Sequence, residues 1–252
     1  MSLMHAATDI QAHSVADNHA IHFDTESTLD IIPGTDGNDT LPGTGGDDTI
    51  VAGNGNDFVD GDLGNDTIIG GAGDDDIHGG GGNDIILADD AGAGNGNDKV
   101  FGDAGDDQIT GGVGGDELHG GAGDDVINGD DVGVGRVGGD DHLFGDAGND
   151  QVNGGDGNDQ LTGGSGDDVL TGGHGNDTFI FSTTEGVELD KITDFHSGED
   201  IIQLDGVGPN FDVMAHLTDT DAGATLQTGE GQTIVFDGLQ AADLHASDFH
   251  LA

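Results

Sequence analysis

The chain has 252 residues, of which 52 are acidic and 3 are basic, and its formal net charge is −49 at pH 7. Such a charge opposes binding to nucleic acid or to an anionic membrane surface and favours cations as partners. The chain has no cysteine, which excludes disulfides and thiolate metal sites, and no stretch approaches the roughly 20 apolar residues of a membrane helix.

The first 33 residues carry no repeat, and we expect an N-terminal cap or a loose tail there. The opening "MSLMHAATDIQAHSVADNHA" has neither Lys or Arg nor a sustained apolar run, so it does not fit a secretory signal peptide. The stretch "IHFDTESTLDII" fits a strand. A zinc cluster is conceivable, but no ligand spacing supports one and a solvated tail is favoured. Its histidines would be His5, His13, His19 and His22.

Residues 34–180 divide into fifteen nonapeptides, interrupted by inserts at 88–92 and 129–135. All fifteen units have Gly at the fourth place, Asp at the sixth and an apolar residue at the eighth, and fourteen have Asn or Asp at the fifth. Many glycines, high charge and few aromatics are typical of a disordered chain. The regular order of the residues instead favours a structural repeat.

Each place in the unit has a physical reading. Glycines suit a turn with positive φ or a close approach of backbone, and Asn or Asp suits the fifth place because it tolerates the left-handed region. The last three residues predict a short strand whose middle, apolar side chain points inward. Two units then make one coil, so the chain is expected to be all-β, a right-handed parallel β-roll in which unit n pairs with unit n+2.

These units resemble the GGxGxDxUx nonapeptides, with U apolar, of the repeats-in-toxin (RTX) proteins. The resemblance covers 34–180 and departs from the pattern at the first place of three units, at Ala52, Ala93 and Arg136. It implies a β-helix solenoid that binds about a dozen Ca²⁺ ions in two columns between turns. The implied metal ligands are Asp39, Asp48, Asp57, Asp66, Asp75, Asp84, Asp98, Asp107, Asp116, Asp125, Asp141, Asp150, Asp159, Asp168 and Asp177.

Calcium suits such turns because it is a hard cation that takes six to eight oxygens from carboxylates and carbonyls with flexible geometry. Magnesium, which demands a stricter octahedron, is expected to compete poorly. Since the apolar interior is thin and the acidic residues are crowded, the roll is expected to depend on its ions. The chain would then be unfolded at the low calcium concentration inside a cell and folded outside it.

From residue 181 the nonapeptides end and alternating apolar stretches begin. The segments "ELDKITDFHSGEDIIQLDGV" and "TIVFDGLQAADLHASDFHLA" resemble the region after the repeats in serralysin-type secreted proteases. That resemblance implies that 181–252 caps the roll and carries an uncleaved signal for type I export; an ordinary small β module is the alternative. The apolar residues available for a cap are Phe179, Phe181, Ile192, Phe195, Ile201, Ile202, Leu204, Ile234, Val235 and Phe236.

No catalytic motif accompanies the repeats, since neither H-E-x-x-H nor G-x-S-x-G occurs, and we expect no enzymatic activity. The favoured function is an extracellular calcium-binding protein whose partners are calcium and, during export, the type I secretion apparatus. One alternative is a module that binds acidic, uronate-containing polysaccharide through calcium, or a non-catalytic part of an extracellular enzyme. Membrane action, known for some small RTX exoproteins, has no supporting apolar or amphipathic segment, so no stable membrane insertion is expected.

Overall fold

The computed structural model describes residues 30–89, 95–130, 138–183, 186–208, 210–228 and 231–252. The four N-terminal histidines, most of the N-terminal strand expected from the sequence, and two first-place departures, Ala93 and Arg136, lie outside these ranges. The strands are β1 Ile31–Pro33, β2 Thr40–Thr44, β3 Thr49–Asn54, β4 Phe58–Asp62, β5 Thr67–Ala72, β6 Asp76–Gly81, β7 Ile85–Asp89, β8 Lys99–Ala104, β9 Gln108–Thr110, β10 Glu117–Ala122, β11 Val126–Asn128, β12 His142–Ala147, β13 Gln151–Asp156, β14 Gln160–Ser165, β15 Val169–His174, β16 Thr178–Ser182, β17 Leu189–Ile192, β18 Ile201–Asp205, β19 Leu217–Thr220, β20 Gly223–Gln227, β21 Thr233–Asp237 and β22 Phe249–Leu251.

The strands form two sheets, and successive strands of the repeat region alternate between them. One sheet has twelve strands in the order β1-β3-β5-β7-β9-β11-β13-β15-β17-β21-β20-β19. The other has ten, in the order β2-β4-β6-β8-β10-β12-β14-β16-β18-β22. Every strand of the repeat region therefore pairs in parallel with the strand two units away, as in β3 with β5, and the predicted parallel β-roll is confirmed.

Many strands are longer than the three residues that the sequence pattern predicts. Strand β3, for example, continues from its apolar centre through the first three residues of the next unit, and Gly53 and Asn54 still pair with Gly71 and Ala72 of β5. The glycines therefore belong to the hydrogen-bonded ladder as well as to the turn. Tight packing between adjacent turns explains why side chains are excluded there.

The core is a double row of the eighth-place apolar side chains, which meet between the two sheets. All fifteen are buried, the most exposed at 6%. They are Leu41, Ile50, Val59, Ile68, Ile77, Ile86, Val100, Ile109, Leu118, Ile127, Leu143, Val152, Leu161, Leu170 and Phe179. The period of two along each strand places the seventh and ninth residues on the outer faces, so the roll has one thin apolar layer and two solvent-facing surfaces.

Residues after the last nonapeptide extend both sheets. Strands β17 and β21 continue the twelve-stranded sheet, which ends in antiparallel β20 and β19, while β18 and β22 continue the other. Three phenylalanines pack at the end of the core. The ring centroid of Phe236 lies 5.4 Å from that of Phe195 and 6.3 Å from that of Phe249. The described ranges contain three short 3₁₀ helices and no α-helix. No helix within these ranges is long and apolar enough to cross a membrane.

Candidate calcium-binding turns

The sixth-place aspartates lie just before each strand, along the two edges where the chain passes from one sheet to the other. Asp39, in the first unit, is half-buried. In the other fourteen units this side chain is at most 3% exposed. Carboxylates are almost never buried without a partner, so these columns are the chemically unusual feature of the fold.

Within each column one carboxylate oxygen is used to join adjacent turns. The backbone N–H of Asp48 donates to Oδ1 of Asp66 at 2.7 Å, and the N–H of Asp66 donates in turn to Oδ1 of Asp84 at 2.7 Å. On the opposite edge the N–H of Asp57 donates to Asp75 in the same way, at 2.8 Å. The sixth-place carboxylates therefore form a continuous ladder along each edge, between turns n and n+2.

The second oxygen, Oδ2, is buried in twelve of these residues and has no hydrogen-bond partner in the described part of the chain. The twelve are Asp57, Asp66, Asp75, Asp84, Asp98, Asp107, Asp116, Asp125, Asp141, Asp150, Asp159 and Asp168. An unpaired buried carboxylate oxygen is costly, and a bound cation or a proton relieves that cost.

These oxygens converge with backbone carbonyls beside the first-place glycine of the unit. A Cβ atom placed on Gly79 would lie 2.5 Å from Oδ2 of Asp84 and 2.8 Å from the carbonyl oxygen of Gly102 in the adjacent turn. A Cβ on Gly102 would meet Oδ2 of Asp107 and the carbonyl of Gly120 in the same way. The first-place glycine thus leaves room for oxygen atoms from two turns, which is the donor set that calcium prefers.

Burial changes the acidity of the column. Desolvation raises the pKa of Asp98 and of Asp141 to about 8, although each carboxylate accepts a backbone hydrogen bond that opposes the rise. The pKa of Asp66 and of Asp107 rises to about 7 for the same reason, with neighbouring carboxylates adding to it. Without a cation, the fold itself therefore disfavours the charged form of these groups.

No three His, Asp or Glu side chains in the described ranges converge on one point that could hold a metal ion. A calcium ion in these turns would therefore take most of its ligands from backbone carbonyls, with few carboxylates per ion. The aspartates predicted from the sequence do lie together in two columns, with fourteen of the fifteen buried. Their role as ligands remains a prediction.

The columns continue beyond the aspartates that the repeat pattern identified. The N–H of Asp168 donates to Oδ1 of Asp190 at 3.2 Å, and the N–H of Asp177 donates to Oδ1 of Asp200 at 3.0 Å. Both added residues are 2% exposed. Their sequence signal is an Asp two places before a buried Ile, with only one glycine among the five preceding residues, Gly186 or Gly198, so a search for whole nonapeptides misses them.

Replacing Gly79 with Ala is expected to destabilise the roll by about 1–3 kcal/mol, because the new methyl group must displace a carboxylate or a carbonyl. Gly45→Ala is the matched control, since a Cβ there meets nothing within 4 Å. Thermal unfolding of both variants in calcium measures the difference. Equal melting temperatures for the two variants would show that the space beside the first-place glycine is not critical.

Comparison with known proteins agrees with this geometry. The family model described as "RTX calcium-binding nonapeptide repeat (4 copies)" matches residues 33–68, 60–91, 92–118, 137–161 and 153–182, which together make up just over half of the chain. No curated protein matches the chain by sequence.

Two solved structures are among those similar to the chain. The extracellular lipase LipA from Serratia marcescens is 21% identical over 91% of this chain and 41% of the lipase chain, with a TM-score of 0.43. A subunit of the Azotobacter vinelandii mannuronan C5-epimerase is 29% identical over 58% of this chain and 80% of its own, with a TM-score of 0.30. This chain thus spans about two fifths of the length of the lipase.

The family match and the geometry of the turns point to the same family of proteins. The repeats of this family bind calcium, and the turns described above present buried carboxylate and carbonyl oxygens at the corresponding places. The chain is a parallel β-roll protein that belongs to the family of RTX calcium-binding nonapeptide-repeat proteins.

Proposed function

We propose that the chain is an extracellular protein whose roll folds when calcium binds to the sixth-place aspartates. The observation that carries this proposal is the row of twelve buried Oδ2 atoms without a hydrogen-bond partner in the described residues. A chain that buried these carboxylates without cations would oppose its own folding, whereas calcium at extracellular concentration supplies the compensating charge.

The number of bound ions tests the proposal. Each pair of adjacent turns in a column offers one potential site, and we expect about a dozen Ca²⁺ per chain by equilibrium dialysis at millimolar calcium. Circular dichroism recorded on the same samples should show β structure increasing as the ions bind. A stoichiometry of one or two ions, or binding without any change in the spectrum, would contradict the proposal.

A central aspartate provides a sharper test, because its carboxylate is proposed to help folding in calcium and to oppose it without calcium. In the wild type the N–H of Asp75 donates to Oδ1 of Asp98 at 2.8 Å. In Asp98→Asn the amide oxygen can still accept this hydrogen bond, and no charge is buried. We expect the variant to bind calcium more weakly and yet to be more stable than the wild type in chelator. Urea unfolding in calcium measures the first effect. Because the chain is expected to be unfolded in chelator at neutral pH, the concentration of a stabilising osmolyte needed to fold each chain there measures the second.

The matched control is Asp106→Asn, which removes one charge from an exposed fifth-place residue. Asn already occupies that place in several units, such as Asn65 and Asn83. It should shift both stabilities by less than about 0.5 kcal/mol. If Asp98→Asn and Asp106→Asn behave alike, the sixth-place carboxylates are not the ligands.

We further propose that 34–180 is the calcium-binding unit and that 181–252 caps it and carries a type I export signal. Support for the cap comes from the way β17, β18, β21 and β22 continue the two sheets over the end of the core. Fusing 181–252 to a reporter in a host that has a type I exporter tests the signal. Retention of the reporter in the cells, when the full chain is exported, would contradict it.

We assign no catalytic activity to the chain, because the sequence lacks the catalytic motifs considered above. An acidic polysaccharide remains a proposed partner, because calcium ions can bridge its carboxylates to those of the protein. A glycan array with and without calcium tests this partner. Binding that persists in chelator would contradict the bridging mechanism.

A further inference from the structure

The outer face of the ten-stranded sheet carries two copies of one side-chain arrangement that calcium binding does not use. In the first, Nδ1 of His78 lies 3.1 Å from Oδ2 of Asp103, and Nε2 lies 3.7 Å from Oδ1 of Asp76. Each copy therefore places one imidazole between two carboxylates, one on its own strand and one on the next.

The second copy lies two strands further along the sheet. Nδ1 of His119 lies 3.1 Å from Oδ2 of Asp146, and Nε2 lies 3.5 Å from Oε1 of Glu117. In both copies the histidine occupies the ninth place of its unit, and the carboxylate on its own strand occupies the seventh. The repetition shows that the arrangement is a feature of this surface rather than an isolated contact.

The aspartates that hold Nδ1 occupy a backbone position that the repeat normally fills with glycine. Asp103 and Asp146 are at the second place of their units, with φ of 69° and 71°. A non-glycine residue in this left-handed region costs on the order of 1 kcal/mol, although Asp tolerates it better than most. A backbone conformation of this kind at a polar cluster suggests a functional constraint.

Aromatic rings fix the planes of the imidazoles. His78 stacks on Phe101 at a centroid distance of 4.7 Å, and His119 is stacked between Phe101 at 5.0 Å and Phe144 at 4.4 Å. The side chains of His78 and His119 are nevertheless 32% and 22% exposed, so solvent and small cations reach them. The rings are held in place, and neither histidine is sealed off.

This geometry fits a first-row transition-metal ion. Zinc binds imidazole nitrogen and carboxylate oxygen at about 2.0–2.2 Å, so two ligands of one tetrahedral ion lie about 3.3–3.6 Å apart, close to the two Nε2-to-carboxylate distances. In zinc sites the other ring nitrogen commonly donates to a second carboxylate, which sets the tautomer, as the aspartates at Nδ1 can do here. Calcium, which prefers oxygen ligands, has no comparable use for imidazole.

We propose that His78 with Asp76, and His119 with Glu117, are two binding sites for zinc or a similar transition-metal ion. Each site supplies two protein ligands, and water completes the coordination, in keeping with the lack of any three-ligand cluster among the described residues. Lys99 already pairs with Oε1 of Glu117 at 2.6 Å. The site at His78 is therefore expected to bind more tightly than the site at His119.

Zinc titration of the full chain by isothermal calorimetry, in saturating calcium and at mildly alkaline pH, tests the proposal. We expect two zinc ions per chain, with His78→Gln and His119→Gln each removing one. Asp103→Gly and Asp146→Gly restore the glycine of the repeat at a positive φ, so the roll should remain folded. Each should nevertheless weaken its own site by about 10–100-fold.

Two controls separate these sites from other histidines and from the backbone change. Asp62→Gly removes the third aspartate with a left-handed backbone, at φ 70°. Asp62 lies on β4, on the other side of His78 from the strand that carries Asp103, so this variant should leave zinc affinity unchanged. Replacing the four N-terminal histidines with Gln should also have no effect. Circular dichroism in calcium confirms folding first, so a failure of calcium-driven folding is distinguished from a failure of zinc binding.

Equal zinc binding by the wild type and by the His78→Gln/His119→Gln double variant would overturn the proposal. So would unchanged zinc affinity in both Asp103→Gly and Asp146→Gly. Loss of zinc binding on replacement of the N-terminal histidines would place the site there and would overturn it equally.

Discussion

Removing calcium at neutral pH is expected to unfold the roll. At a free calcium concentration ten times the dissociation constant, each bound ion stabilises the folded chain by about 1.4 kcal/mol, and about a dozen ions by roughly 17 kcal/mol. That sum exceeds the net stability of about 5–15 kcal/mol of an ordinary domain. A roll that stayed folded without calcium would also keep fourteen sixth-place carboxylates buried without their counter-ions.

Circular dichroism and amide hydrogen exchange in chelator measure this effect. The N–H groups that join the columns, such as those of Asp66 and Asp107, should exchange slowly in calcium and rapidly without it. Magnesium at the same concentration, and potassium at matched ionic strength, control for simple screening of charge. Undiminished β signal and slow exchange in chelator would show that the fold does not need its ions.

Acidification is expected to replace part of the effect of calcium. The pKa values of the buried aspartates rise to about 6 for Asp84, about 7 for Asp150 and about 8 for Asp141, against about 3.9 in an unfolded chain. A group whose pKa is higher in the folded state contributes stability that is fully present below the unfolded pKa and is lost as pH rises through the folded pKa. In calcium-free buffer, the roll should therefore gain stability as the pH falls from about 8 to about 4.

The calcium-loaded protein should show the opposite trend over the same range, because protons compete with the metal for the carboxylates. A tenfold change in proton affinity is worth about 1.4 kcal/mol for each group, so several such aspartates produce a large combined effect. Circular dichroism against pH, with and without calcium, gives both curves. A calcium-free chain that is no more ordered at acid pH would contradict the role assigned to burial.

A charge-matched pair of double variants separates this effect from the general loss of net charge at low pH. Asp98→Asn/Asp141→Asn removes the two carboxyls with the highest pKa values and should flatten the upper part of the calcium-free curve. Asp106→Asn/Asp124→Asn removes the same charge from exposed fifth-place residues and should leave the shape of that curve unchanged.

Much of this protein could be predicted from its sequence because the period is short and strict. An apolar residue at the eighth place of every unit predicts the buried row from Leu41 to Phe179, and the glycines of each unit predict turns. The pairing of β3 with β5 follows, since two units make one coil. The length of the strands did not follow, because glycines read as turn residues also pair in the ladder, as Gly53 does with Gly71.

The sequence by itself therefore determined the parallel roll, its core and the residues that line its two edges, because these depend on contacts repeated at a constant spacing. Only the tertiary structure decided that Oδ1 of each buried sixth-place carboxylate accepts a backbone N–H while Oδ2 of twelve of them faces the proposed calcium site. It alone also decided that Asp190 and Asp200 extend the columns. It also decided that His78, Phe101 and His119, which share the ninth place of alternate units and hence one face, stack on one another and meet the carboxylates of Asp103 and Asp146. Those contacts depend on side-chain rotamers and on the register across the insert between β7 and β8, which the pairing of β6 with β8 sets.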